Sequence, residues 1–293
     1  MLISNFYFPS IFQPPCRCTF SSSIVTRISP IPTSLKVHNQ KLSRTFVTGS
    51  SSPATPSQDL DVEEEKRSKL KEQLLYTIAA SNGILNEHSM ALISSLGNIN
   101  PNPDITIAPH LLTGCFEQIS STLKGTGKPG EAHKLVENTV TLGRATFNAF
   151  SPTDTEIQMK QTYNHVGVEA DDAYYLLLKF SVNCPYEGAD APPMEGMLIN
   201  KASFSVSDFN RIDIIFESSS MVPLNPQKDL QSWLKLFRDH NPSMDEKGVV
   251  KVALPPAKGF HDYLYLDHEL RITKGNRGTI NVVKRLPQKV IHL

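Results

Sequence analysis

The sequence predicts a mainly β fold, an antiparallel sandwich or barrel preceded by two helices and by a leader outside the fold. Three observations carry this. Segment after segment past residue 110 alternates polar and apolar residues with a period near two. Short turn-rich stretches such as Ser151-Pro152-Thr153-Asp154 and Glu169-Ala170-Asp171-Asp172 join these segments, as in an all-β domain. The first residues have a composition unlike that of the remainder.

That leader runs from Met1 to Gln58 without one Asp or Glu, while Arg17, Arg27, Lys36, Lys41 and Arg44 lie among dense Ser, Thr and Pro. This is the composition of an organelle transit peptide, and it lacks the unbroken apolar stretch of a secretory signal. Pro9, Pro14, Pro15, Pro30 and Pro32 work against an amphipathic presequence helix, which favours a plastid over a mitochondrion. The alternative is a disordered tail that stays attached. The expected organisation is a disordered chloroplast transit peptide over 1–57, a helical segment over 58–103, and a β-domain over 104–293.

Loss of the leader changes the charge. The whole chain has 29 basic and 29 acidic residues; without the five basic residues named above the balance is 24 against 29, a net of −5. A mildly acidic body has no electrostatic footprint for nucleic acid. No stretch approaches the roughly 18 consecutive apolar residues of a spanning helix, so membrane contact is expected to be peripheral. Cys16 and Cys18 leave with the leader. Cys115 and Cys184 remain, with neither metal spacing nor a Cys-x-x-Cys pair, and read as buried free thiols.

The first helix is expected from Asp61, with acids at its start and Leu70, Leu74 and Ile78 as its apolar stripe, ending at Asn82-Gly83. The second starts with Asn86 as N-cap, turns Met90, Ile93 and Leu96 inward and ends at Gly97. Asn100-Pro101-Asn102-Pro103 excludes both helix and strand. Strands are expected at Thr113–Ser121, Lys134–Val140, Arg144–Phe150, Glu156–Tyr163, Tyr174–Val182, Met197–Val206 and Ile212–Ser219. A helix from Asp229 to His240 carries Leu230, Trp233, Leu234 and Phe237 at i, i+3, i+4 and i+7. Strands Val249–Ala253, Asp262–Leu266 and Leu270–Thr273 follow, and the last pairs with Thr279–Lys284 across Gly275-Asn276-Arg277-Gly278.

Motifs for chemistry are missing. Gly125-Thr126-Gly127-Lys128 fails as a phosphate loop, because Pro129 follows the lysine and no Ser or Thr is set for magnesium. No two histidines have metal-pair spacing, and there is no Gly-x-Ser-x-Gly elbow or dinucleotide glycine fingerprint. The reading is therefore no catalytic residue, no metal and no cofactor. Asp171-Asp172 reads as a turn cap. Aromatic rings recur along nearly every expected strand, and Phe147, Phe180, Phe204 and Phe216 suit a barrel interior that takes an apolar guest.

The segment Asp267-His268-Glu269-Leu270-Arg271-Ile272-Thr273-Lys274-Gly275-Asn276-Arg277-Gly278 resembles the Asp-x-x-Leu-Arg-Ile-x-Arg-Gly-x-x-Gly signature of the plastid-lipid-associated protein, or fibrillin, family. Lys274 stands where the signature has Arg. Pro255-Pro256, Lys258-Gly259, Tyr265 and Arg211-Ile212-Asp213-Ile214-Ile215-Phe216 are also similar to that family, as is the opening helix from Lys69 to Gly83. Where many members have Leu-x-Gly-x-Trp, this chain has Leu112-Thr113-Gly114-Cys115-Phe116, with Phe for Trp. The resemblance implies a lipocalin-like barrel, plastid import, and peripheral association with plastoglobules or thylakoids through plastid lipids or prenyl quinones. A second expectation is an interaction protein that docks on a lipid-biosynthetic enzyme, through the helix Glu63–Leu75 or the face carrying Trp233. A third, an enzyme acting on a lipid, requires a polar cluster inside the barrel. In the signature, Asp267 is expected to cap the turn, Leu270 and Ile272 to point inward, Arg271 to face outward toward a carboxylate or lipid head group, and Gly275 and Gly278 to shape the hairpin.

Overall fold

The structure, a computed structural model, describes residues 58–122, 138–146, 148–169, 171–186 and 191–291. These described residues form one compact unit. Its centre is a closed antiparallel barrel of eight strands: β1 (Gly114–Ser121), β3 (Glu156–Val166), β4 (Tyr174–Val182), β5 (Met194–Asp208), β6 (Arg211–Pro223), β7 (Val250–Leu266), β8 (Leu270–Gly275) and β9 (Ile280–Leu286). Each strand from β3 to β9 pairs with the next, β1 pairs with β9, and β1 closes the ring on the second half of β3 from Gly114↔Val166 to Glu117↔Tyr163. The first half of β3 takes a short extra strand, β2 (Asn138–Thr141), along the same edge. The mainly β expectation holds, with the sheet closed into a barrel rather than split into a sandwich.

Two helices precede it. Helix α1 (Gln58–Ala80) ends with Asn82 and Gly83 at positive φ (52° and 82°), and the Gly83 N–H donates to the Ile78 carbonyl at 2.8 Å. This is the glycine-assisted stop the sequence announced. Helix α2 (Glu87–Asn98) begins at Asn86, whose Oδ1 accepts the Ser89 N–H at 2.9 Å. Leu74 and Ile78 of α1 and Leu92, Ile93 and Leu96 of α2 bury against Tyr265, Leu270, Ile272, Ile280 and Val282 of the last three strands. Five buried aliphatic side chains on the helix side, each contributing roughly 1.5–3 kcal/mol, hold the pair to the barrel wall. The Asn100–Pro103 segment then bridges to the barrel, with Asn100 Oδ1 accepting the Leu266 N–H and Asn102 Nδ2 donating to the Leu266 carbonyl.

One barrel end is plugged. Helix α5 (Pro226–Phe237), in the connection between β6 and β7, buries Trp233, Leu236 and Phe237 against Phe180, Leu198, Met221 and Val250. The indole lies so close to β5 that a Cβ at Gly196 would meet both Trp233 and Phe180 at 2.5 Å. Trp233 Nε1 donates to the Gly248 carbonyl at 2.8 Å, which satisfies the polar atom of the buried indole. The Trp233 face is therefore internal and offers no contact surface to a partner. At the opposite end Ile105 and Leu112, the latter in the short helix α3 (Pro109–Leu112), pack onto a second cluster that includes Phe116, Val166, Tyr174 and Tyr263.

Two elements differ from expectation. Arg144–Phe150 is not a strand: Leu142–Thr146 forms a short helix, α4, and the chain reverses at Asn148 with φ 59°. Gly143 accounts for this, since its N–H bonds the Thr153 carbonyl and a Cβ there would meet Asn148 and Thr153 within 3 Å. Val249–Ala253 and Asp262–Leu266 are two parts of one long β7. Pro255-Pro256 sits in a register skip between Ser218↔Ala253 and Phe216↔Ala257, where missing prolyl N–H groups interrupt no ladder bond. Of the strand expected at Lys134–Val140, residues 134–137 lie outside the described residues. No helix among the described residues is long and apolar enough to cross a membrane.

Candidate functional site

The barrel interior follows from strand parity. Ladder partners share a face, and from Phe116 the ladder runs to Asn164, Leu176, Asn200 and Ser219. The cluster around Phe116 draws residues from all strands but β8, so its face is the lumen. The wall is incompletely packed. Gln118, Thr162, Leu176, Leu178, Asn200, Phe204 and Phe216 face inward at or near mid-strand, yet each is only half-buried. Phe180 is fully buried in the plug cluster, while Phe204 and Phe216 lie against the upper cluster. Phe147 falls outside the described residues.

β8 decides how the lumen is charged. Leu270 and Ile272 turn outward and pack under α1 and α2. Arg271 turns inward, the reverse of the sequence expectation. It is 2 % exposed. Its Nη2 donates to Asn164 Oδ1 at 2.9 Å, its Nη1 reaches Tyr263 Oη at 3.5 Å, and its guanidinium lies 4.0 Å from the centre of the Phe116 ring. Buried Nε finds no partner among the described residues. A second guanidinium, that of Arg285, the ladder partner of Phe116, lies 4.6 Å from the centre of the same ring. Arg285 donates to the carbonyls of His268, Thr113 and Leu111 at 2.7, 2.6 and 2.8 Å, tying the chain before β1 to the β7–β8 turn. Phe116 is thus a cation–π partner of both arginines.

Two further groups line this end. The ring of His261 stands edge-on to Tyr174, 6.4 Å between centroids, and burial followed by the nearby Arg271 charge pushes its pKa down to about 4. Burial pushes the Tyr174 hydroxyl up to about 12. At neutral pH the lumen therefore presents guanidinium, amide, phenol and neutral imidazole.

Asp267 does cap the turn: its Oδ1 accepts the N–H groups of Glu269 and Leu270 at 2.8 and 2.7 Å. Its Oδ2 takes two more donors, Tyr265 Oη at 2.6 Å and Lys71 Nζ at 2.9 Å. Lys71 also meets Glu269 at 2.7 Å. Burial raises the Asp267 pKa, yet the bonds from Tyr265, Lys71 and the two N–H groups outweigh it and hold the carboxyl below its ordinary value. In the hairpin, Gly278 has φ 76° while Gly275 has no positive φ, so only the second glycine is required by backbone geometry.

Residues 177–284 match the model of the PAP_fibrillin family. The PAP_fibrillin match begins inside β4 and ends inside β9, so it covers the strand that carries Arg271 and the whole signature turn around Asp267. It agrees with the resemblance read from the C-terminal motif. No curated protein and no solved structure matches the chain.

Sequence reasoning missed a second concave surface. On the outside of the barrel, Met90, Ile93 and Gly97 of α2 face Phe209, Leu264 and Ile280 across a groove of about 460 Å³. Gly97 allows the close approach, its added Cβ meeting the Leu264 carbonyl at 3.4 Å. The apolar stripe of α2 was legible; that it is shared between wall and groove was not. Outside the lumen, Cys115 and His165 are ladder partners on the outer face, where His165 Nδ1 lies 3.2 Å from Glu169. The pair is no nucleophilic site. Burial raises the thiol pKa, and His165 Nε2 already accepts the Val290 N–H at 3.3 Å. Among the described residues no group of three or more His, Cys, Asp or Glu is placed to hold a metal ion.

Proposed function

We propose that this chain is a non-catalytic binder of plastid lipids or prenyl quinones, imported on residues 1–57 and held peripherally at plastoglobules or the thylakoid surface. The observation that carries the reading is a barrel whose inward mid-strand residues are only half-buried beside an apolar cluster, in a chain whose residues 177–284 match the PAP_fibrillin family. Small barrels either fill with side chains or hold a guest, and the partly exposed inward residues favour the guest. The lumen does contain a polar cluster, which an enzyme would need. Its chemistry supports binding instead: the one imidazole is a weak base at a pKa of about 4, no carboxylate joins it, and the guanidinium cannot give up its proton.

Delipidated protein incubated with plastid lipid extract and repurified is expected to retain lipid and to co-float with lipid droplets; retention of none and no flotation would overturn the reading. Residues 1–57 fused to a fluorescent protein are expected to enter chloroplasts, and a cytosolic signal would remove the import step. A second reading keeps one of its two surfaces. Helix α1 exposes Val62 and Tyr76 by 65 % and 75 % beside a charged face, which suits docking on a lipid-biosynthetic enzyme. A stoichiometric enzyme in a stromal pulldown, with no lipid retained, favours that reading.

A further inference from the structure

The guanidinium of Arg271 is sealed in the barrel without a counter-charge. None of the ion pairs among the described residues includes it. Asn164 offers an amide oxygen, Tyr263 a phenol and Phe116 a ring face, and Nε has nothing. The two nearest acids in sequence are both taken, Glu269 by Lys71 and Asp267 by Lys71 and Tyr265. Arg285 adds a second positive charge on the same ring rather than a counter-charge.

A buried lysine in this position would lose its proton and become neutral; arginine stays charged. A charge kept out of water without a partner is unfavourable, and the free edge at Nε together with Nη2 matches the fork geometry of a carboxylate. The surroundings set the rest of the ligand. Val166, Ala202, Ile214 and Val283 form an apolar sleeve around the charge, continued by half-buried Leu176 and Phe216. Arg285 already donates from all three of its nitrogens to backbone carbonyls, so a doubly charged head group finds no second unpartnered donor there.

We propose that the lumen binds a single-chain amphiphile with a carboxylate head, of the free fatty acid class, whose head group sits on Arg271 and whose chain runs toward the Trp233 plug. This rests on the lipid-binding reading and narrows it, because a prenyl quinone brings no negative charge. Phe116 stacks on the guanidinium and Asn164 fixes its plane, so both are positioning residues for the same contact.

The test is equilibrium binding of radiolabelled palmitate and of its methyl ester to the delipidated full chain, with Arg271→Gln and Arg271→Lys compared. Palmitate is expected to bind, the ester at least tenfold more weakly, R271Q at least tenfold more weakly, and R271K in between. Equal affinity for acid and ester would overturn the proposal, as would wild-type affinity in R271Q. Circular dichroism reports whether R271Q folds; if it does not, the ester comparison on the unaltered chain decides. Inorganic phosphate that raises the melting temperature of the wild type, while palmitate does not bind, would assign the arginine to a free anion and overturn the amphiphile. Retention of a neutral prenyl quinone without palmitate sinks this inference and leaves lipid binding standing; retention of neither sinks both.

Discussion

Lys71 and Asp267 lie 196 positions apart and meet at 2.9 Å, joining the first helix to the turn that opens β8. The same carboxylate caps that turn through Glu269 and Leu270, so helix attachment and strand geometry depend on one side chain. Removal of Lys71 leaves the buried Asp267 carboxylate with neutral donors only, and removal of Asp267 leaves Lys71 with the exposed Glu269 alone, at a cost of about 2 kcal/mol. Lys71→Met and Asp267→Asn are expected to lower the urea midpoint by that order and to free α1 for proteolysis. The pair also fixes a pH window. Asp267 is held below its ordinary 3.8, so its contribution is complete above that value and fades as pH falls below it. Burial works against the Lys71 charge, but the bonds to Glu269 and Asp267 hold its pKa above 10.5, so its contribution persists below that pH and is lost as pH rises through the higher value. Protection of α1 in hydrogen exchange should be flat between about pH 7 and 9; a slope within that range would refute the assignment.

Acid sensitivity above pH 4 belongs to other residues. His261 in the folded chain titrates near 4, against an ordinary 6.5, because burial and Arg271 disfavour its charge while Asp262 opposes them weakly. A depressed histidine stabilises the fold fully above 6.5 and progressively less as pH falls toward 4. His165, lowered chiefly by burial, acts in the same sense. Denaturation midpoints are expected to decline between pH 6.5 and 4 by on the order of 1–3 kcal/mol, and His261→Gln to flatten part of that slope. An unchanged slope in the variant would show that His261 is not its source.

Glycine substitutions separate backbone need from motif membership. Gly114 has φ 135°, and a Cβ there would collide with Arg285 Nη1 at the junction where that arginine ties β1 down. Gly275 has no positive φ and nothing nearer than 3.8 Å. Gly114→Ala is expected to cost about 2 kcal/mol or more, and Gly275→Ala less than about 0.5, although the second lies within the family signature. Thermal melts of the two variants check the order.

The barrel plug carries the only tryptophan of the chain, which makes it a site-specific probe. Trp233 is fully buried and bonded to Gly248, so its emission is expected to be blue-shifted and poorly quenched by acrylamide. Trp233→Ala should lose about 3–5 kcal/mol and loosen that end of the barrel. Red-shifted, easily quenched native emission would contradict the plugged end.

Most strands were legible because one barrel face meets apolar side chains and the other meets solvent, which imposes alternation. β8 shows where this fails. Leu270, Arg271, Ile272 and Thr273 are all buried, since helices cover the outer face and the lumen holds the inner one. With both faces buried, alternation carries no sign, and an arginine between two aliphatics reads naturally as the outward residue. Only α1 and α2, packed from nearly 200 positions away, reverse it. The strand read at Arg144–Phe150 failed for a nearer reason, the tight contact of Gly143 with Asn148 and Thr153, which lies outside any periodicity rule. The unbroken β7 was hidden by Pro255-Pro256, whose accommodation depends on a bulge opposite Glu217. The outer groove was out of reach because it needs α2 placed against Phe209 and Leu264.

Closure of the ring by β1 against β3 bears on how the molecule is divided. The span shared with the family stops short of both closing staves, so an excised 177–284 would be a curled ribbon with bare hydrogen-bonding rims on β4 and β9. Such rims recruit copies of themselves. Paired barrel edges are therefore a property of the chain from β1 onward, and clumping of the shorter piece would reflect missing staves rather than a faulty sequence.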